Sequence, residues 1–133
     1  MTILLAILAA ASMPADAAVG RWQTENRHGV VEIARCGSSI CGTLLSSDGL
    51  RANPQLRYEN NTDAQLRCRP LKDLRILQGF QWKSGSWSGG TIYNAEDGGT
   101  YGATVTVIDS DHLRLKGCIV WPLCKTQTWI RLR

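Results

Sequence analysis

From Gly20 to Arg133 the chain changes sides residue by residue, and short turn signals interrupt the alternation at regular intervals. Tyr101, Ala103, Val105 and Val107 fall on one face of segment 101–109, and Thr104 and Thr106 on the other. Val31, Ile33 and Arg35 oppose Val30, Glu32 and Ala34 in the same way, and Leu113 and Leu115 share a face of 112–120. A period of two marks half-buried strands, because successive side chains of a strand point to opposite faces. Segments 20–24, 28–36, 41–47, 73–82, 84–94, 101–109, 112–120 and 125–133 read as strands, and no amphipathic helix of any length competes. About eight short strands joined by tight turns predict an all-β antiparallel up-and-down barrel, with a sandwich as the other closure. At 133 residues, this is one domain with one core.

Two segments depart from the rhythm. Residues 48–71 carry Asn-Pro, Asn-Asn and Arg-Pro with little alternation, and predict a long loop with one helical turn. Long ordered loops in small β domains often cover a cavity mouth. Residues 1–17 hold an apolar run from Ile3 to Ala11, too short to span a bilayer as a helix, then a polar break and Ala15-Asp16-Ala17. Small residues at those two positions predict a secretory signal peptide over 1–17, although no Lys or Arg precedes the run. The barrel domain is then 18–133, in the periplasm or secreted, its formal charge raised from +4 to +5 by the loss of Asp16. Its bases are scattered rather than clustered, which argues against a nucleic-acid partner.

Five cysteines suit an oxidising compartment. Cys36 and Cys41 flank Gly-Ser-Ser-Ile, Cys118 and Cys124 flank Ile-Val-Trp-Pro-Leu, and each pair is placed to close a local loop. Neither spacing is C-x-x-C and no histidine lies beside them, so no metal site is expected. Cys68 is left over and is expected to be buried.

Candidate sites are few. Glu96 and Asp97 are adjacent, so on a strand they would face opposite ways and form no acid–base couple. Gly98-Gly99 after them marks a hairpin turn, and Asn-Ala-Glu-Asp-Gly-Gly-Thr supplies too few oxygens in order for calcium. His28 and His112 are the only histidines, both at strand starts. A hydrolase would require one of them to meet Glu96 or Asp97 in space. No nucleophile elbow, dinucleotide fingerprint or phosphate loop is present, and no cofactor is expected. The aromatic set is richer: Trp82, Trp87, Tyr93 and Tyr101 come from consecutive strands, and Trp121 sits between Cys118 and Cys124. Together they define a candidate pocket for a small apolar or amphipathic ligand, the other reading being core filling.

The two ends carry a resemblance. Gly20-x-Trp22 opens the domain and Trp129-x-Arg131 closes it. First and last strands are neighbours in a closed barrel, so a guanidinium can lie over the Trp22 indole and plug one end, a contact of roughly 1 kcal/mol. This is similar to the structural signature of lipocalins and the wider calycins. A second resemblance spans nearly the whole domain: GRWQTEN, VVEIARC, ICGTLL, NNTDAQLRCRPL, ILQGF, WSGGTIYNAEDGGTY, LRLKGC and TQTWIRL, in this order, resemble the bacterial exported family of domain of unknown function 2147. That resemblance implies a calycin-like barrel and brings no activity or catalytic residue. The expected function is therefore non-enzymatic binding of a small, partly apolar ligand or a cell-envelope component by a monomer or weak dimer. Alternatives are a ligandless interaction module with an envelope partner and, third, the hydrolase.

Overall fold

Alternation makes strands; a barrel also needs its two outer edges to find one another. The computed structural model describes residues 13–61, 63–120 and 123–133. Its strands are β1 (Gly20–Gln23), β2 (Val30–Cys36), β3 (Ser39–Ser46), β4 (Leu74–Gln78), β5 (Gln81–Lys83), β6 (Ser86–Asn94), β7 (Gly99–Val107), β8 (His112–Val120) and β9 (Leu123–Leu132), with one short helix, α1 (Asp48–Ala52). All pairings are antiparallel. The ring runs β1-β2-β3-β4-β6-β7-β8-β9 and closes twice over: β9 returns to β1, and β4 meets β6 through Leu77–Ile92 and Gln78–Thr91. Eight strands thus form a closed barrel, and β5 is a short flap on β6.

The expected single strand over 73–82 is in fact two. The chain turns at Gly79–Phe80 and drives the Phe80 ring into the core, where it is 2% exposed. Leaving the ring there frees β4 to pair directly with β6.

The barrel is solid at one end. Trp22, Val31, Ile33, Ile40, Leu77, Trp87, Val105, Leu113 and Trp129 are all buried and pack together. Four of these are on β-branched or aromatic-rich stretches whose inward parity the sequence already showed. The plug predicted from the two ends has this geometry: Trp22 is the register partner of Arg131, whose guanidinium lies 4.2 Å from the indole centroid. The guanidinium also donates to the carbonyls of Ser110, Val19 and Ala17. Gly20 is required beneath it, because a Cβ there would come within 2.6 Å of Arg131 Nη1, and its φ of +138° is one that side chains rarely adopt.

Residues 15–18 form a 3-10 turn against this end rather than lying apart. Trp22 Nε1 donates to Ala18 O, Trp87 Nε1 donates to Ala15 O, and Asp16 pairs with Arg35. The leader boundary expected after Ala17 falls inside this packed turn; residues 1–12 lie outside the described residues. Disulfides join Cys36 to Cys41 across the β2–β3 turn and Cys118 to Cys124 across the β8–β9 turn. Cys68, expected buried, is exposed in a 3-10 turn of the long loop, between exposed Arg67 and Arg69.

Candidate functional site

At the other end the barrel is hollow. A cavity of about 880 Å³ opens there, floored by Ile76, Ile92, Leu115, Gly117 and Trp129. Strand direction explains the contrast. β1 leaves the plugged end and β9 returns to it, so the β6–β7 turn and the β8–β9 tip both stand at the mouth. β8 contributes Leu115 and Gly117 and β9 contributes Gln127 and Trp129 by simple alternation, and Leu115 pairs with Gln127 across the ladder. Gln127 accepts from Trp129 Nε1 through its carboxamide oxygen, which leaves its NH2 group at the cavity wall.

The long loop makes one side of the mouth. Ser47 caps α1 by accepting from Leu50 N, and the loop then lays Leu56, Arg57, Glu59, Asn60 and Leu71 along the opening. Leu50, Tyr58 and Leu71 form a small core of their own beneath it. The loop is fastened to the fingerprint hairpin: Asn60 Nδ2 donates to the carbonyls of Ala95 and Glu96. Gly98, at φ +73°, lies so close to the loop that a Cβ would sit 1.7 Å from Asn60 O.

The sequence candidates divide between the two ends. Tyr93 and Tyr101 line the cavity. Tyr93 also packs at 4.7 Å on Tyr58, and burial pushes its hydroxyl above the ordinary tyrosine range, against a smaller opposing influence of Asn61. Tyr101 donates to Asp97, and that bond holds the phenol protonated to higher pH than usual. Trp82 and Trp87 do not line the cavity. Trp87 is 1% exposed in the plugged end with Arg35 over its ring, and Trp82 sits 40% exposed on the flap, edge-on to Trp87. Trp87 stands six positions before Tyr93 on the same strand, about 20 Å of rise nearer the plugged end. Trp121 lies outside the described residues. Trp129, read as a structural signature, also floors the cavity.

The acids of the hairpin are occupied as a turn. β6 ends at Asn94 and β7 starts at Gly99, with Gly98 N donating to Asn94 O and Gly99 N to Asp97 Oδ1. Glu96 pairs with Arg27 at 2.8 Å, His28 with Asp48 at 3.0 Å and His112 with Asp109 at 2.8 Å. Among the described residues no hydrogen bond or ion pair joins Glu96 or Asp97 to a histidine, and no cluster of metal-binding side chains occurs. Asp48 is held below the usual carboxylate range by its hydrogen bond from His28 and then by Arg51.

What the sequence reading missed are the cavity's aliphatic walls, Leu44, Leu71, Ile76 and Leu115, and the mouth cations Arg57 and Lys125. The alternation of β8 and β9 carried the signal for Leu115. Nothing local distinguished Leu71, whose place depends on the course of the loop.

A closed eight-stranded up-and-down barrel, plugged by a Trp–Arg pair and hollow above, is a calycin-type, lipocalin-like fold. This fold is similar to that of protein HP1028 from the human pathogen Helicobacter pylori, described as belonging to the lipocalin family. The two are 24% identical with a TM-score of 0.79, over 87% of this chain and 83% of that chain. The chain belongs to the family described as an uncharacterized protein conserved in bacteria (DUF2147), whose profile matches residues 20–131. No curated protein matches it.

Proposed function

We propose that this is an exported binding protein that takes a small, partly apolar molecule into the hollow half of its barrel. The observation that carries the reading is the cavity itself: about 880 Å³, aliphatic and aromatic at its floor, polar and charged at its mouth. A volume of that order accommodates a small organic ligand, and the few polar groups orient it. The lipocalin-like fold and the two disulfides support the reading, the latter pointing to the periplasm or the exterior. Among the described residues no helix is long and apolar enough to cross a membrane.

The test uses N-phenyl-1-naphthylamine, a neutral apolar fluorophore, with Trp129 as the reporter on the floor. Saturable binding with energy transfer from tryptophan is expected. A blocked variant provides the control: at Gly117 a Cβ would meet only ordinary contacts, 3.7 Å to Ile92 Cγ2 and 3.9 Å to Gly102 O. Gly117→Phe therefore places a ring in the cavity from a strand that tolerates it. Loss of binding with an unchanged circular dichroism spectrum supports the reading; absent binding, or binding indifferent to this substitution, overturns it.

A further inference from the structure

The β8–β9 tip is the most apolar exposed feature of the described surface. Ile119 is 70% exposed and Leu123 69%, and both also line the cavity mouth. The Cys118–Cys124 bond braces the strand ends that carry these two residues. Apolar residues held out into water at the rim of a cavity mark an interaction surface.

The charge around this tip selects the partner. Residues 112–133 contain Arg114, Lys116, Lys125, Arg131 and Arg133 and no Asp or Glu. Arg131 is committed to Trp22 and Arg133 to Asp111. Arg114, Lys116 and Lys125 are exposed, and none has an ion-pair partner among the described residues. Across the ladder, Arg114 and Lys116 face threonines on both sides, Thr106 and Thr104 on β7 and Thr128 and Thr126 on β9. Glu25 Oε2 accepts from Thr128 N beside the stem, which stays net positive; an apolar tip above such a stem matches an anionic lipid surface, with headgroups at the stem and acyl chains at the tip.

We propose that Ile119 and Leu123, braced by the Cys118–Cys124 disulfide, insert into an anionic lipid surface and hold the cavity mouth against it. Because Ile119 and Leu123 belong to both surfaces, the docked residues stand at the cavity mouth. The docking stands whether or not the cavity takes a ligand, so its test is independent of fluorophore binding.

The experiment is co-sedimentation of the full protein with vesicles of phosphatidylcholine and phosphatidylglycerol in 3:1 ratio, against pure phosphatidylcholine. Binding to the anionic vesicles is expected, weakening with added sodium chloride. Ile119→Ser and Leu123→Ser each weaken it about tenfold, and Lys116→Ser about fivefold. Ile130→Ser, a 52% exposed apolar residue further down β9, leaves it unchanged. The substituted residues are exposed, so folding is preserved and is confirmed by circular dichroism. Lack of vesicle binding overturns the proposal, as does binding that survives loss of both Ile119 and Leu123. Sedimentation equilibrium supplies the other outcome: a dimer abolished by these substitutions, with vesicles inert, assigns the tip to a second copy of the chain and overturns it too.

Discussion

Gly98→Ala tests how the mouth is built, and a second glycine isolates the cause. Gly98 and Gly37 both have a left-handed φ, +73° and +63°, so alanine meets a similar left-handed penalty at both. That penalty is about 1 kcal/mol. Their surroundings differ completely. A Cβ on Gly37 meets nothing within 4 Å, whereas on Gly98 it meets Asn60 O at 1.7 Å and Asn60 C at 2.4 Å. The obstruction is backbone, so no rotamer change relieves it. Asn60 O would have to retreat about 1.3 Å merely to reach 3.0 Å. That retreat pulls the Asn60 side chain from the carbonyls of Ala95 and Glu96, two hydrogen bonds of about 1 kcal/mol each. Gly98→Ala should therefore cost about 3 kcal/mol and Gly37→Ala about 1 kcal/mol, measured as urea midpoints at constant slope. Equal losses at the two sites would refute the reasoning, since they would mean that the loop does not rest on the hairpin. The same variant should loosen fluorophore retention, because the loop forms one side of the mouth.

Three further outcomes are expected. Arg131→Lys should lower stability by about 2 kcal/mol in the same urea assay, through loss of the Trp22 stacking and of the forked carbonyl contacts that an ammonium cannot reproduce. Asp48 has a folded pKa below its unfolded value, so its contribution is complete above about pH 4 and is lost as pH falls through the folded pKa. Asp48→Asn should accordingly flatten the decline of stability below about pH 4, and an unchanged acid limb would contradict the His28–Asp48 pairing. If the chain is exported as proposed, intact-mass measurement should find Ala15, Asp16 and Ala17 retained, with cleavage upstream near Ala9-x-Ala11, which has the same small-residue spacing. A chain beginning at Ala18 would lose the acceptors of Trp87 and of one Arg131 nitrogen.

The wall of the barrel was legible in the sequence because alternation is a local signal. Val31, Ile33, Ala103, Val105, Leu113 and Leu115 are buried on the parity they show in the chain. The Trp22–Arg131 pair was legible for a different reason: closing a barrel makes the first and last strands neighbours, whatever lies between. The cavity was legible only in part. Trp82, Trp87, Tyr93 and Tyr101 looked like one aromatic set, but position along a strand determines which end of a barrel a residue reaches, and that depends on where each strand starts. The break at Gly79–Phe80 and the bulge between Trp87 and Gly90 set those starts. Cys68 was misplaced because burial in a long loop is settled by the loop's path, not by residue type.

The two closures of the ring are unequal, and they lie diametrically opposite each other. One joins β9 to β1 and is locked by Arg131; the other joins β4 to β6 through Leu77–Ile92 and Gln78–Thr91. Each half of the wall, β1–β4 and β6–β9, is a continuous stretch of chain. The molecule is thus a cuff with a hinge on one side and a small clasp on the other. Parting the clasp widens the bore while leaving the plugged hinge and both disulfides untouched. The width of the bore is then set by two rungs of one ladder.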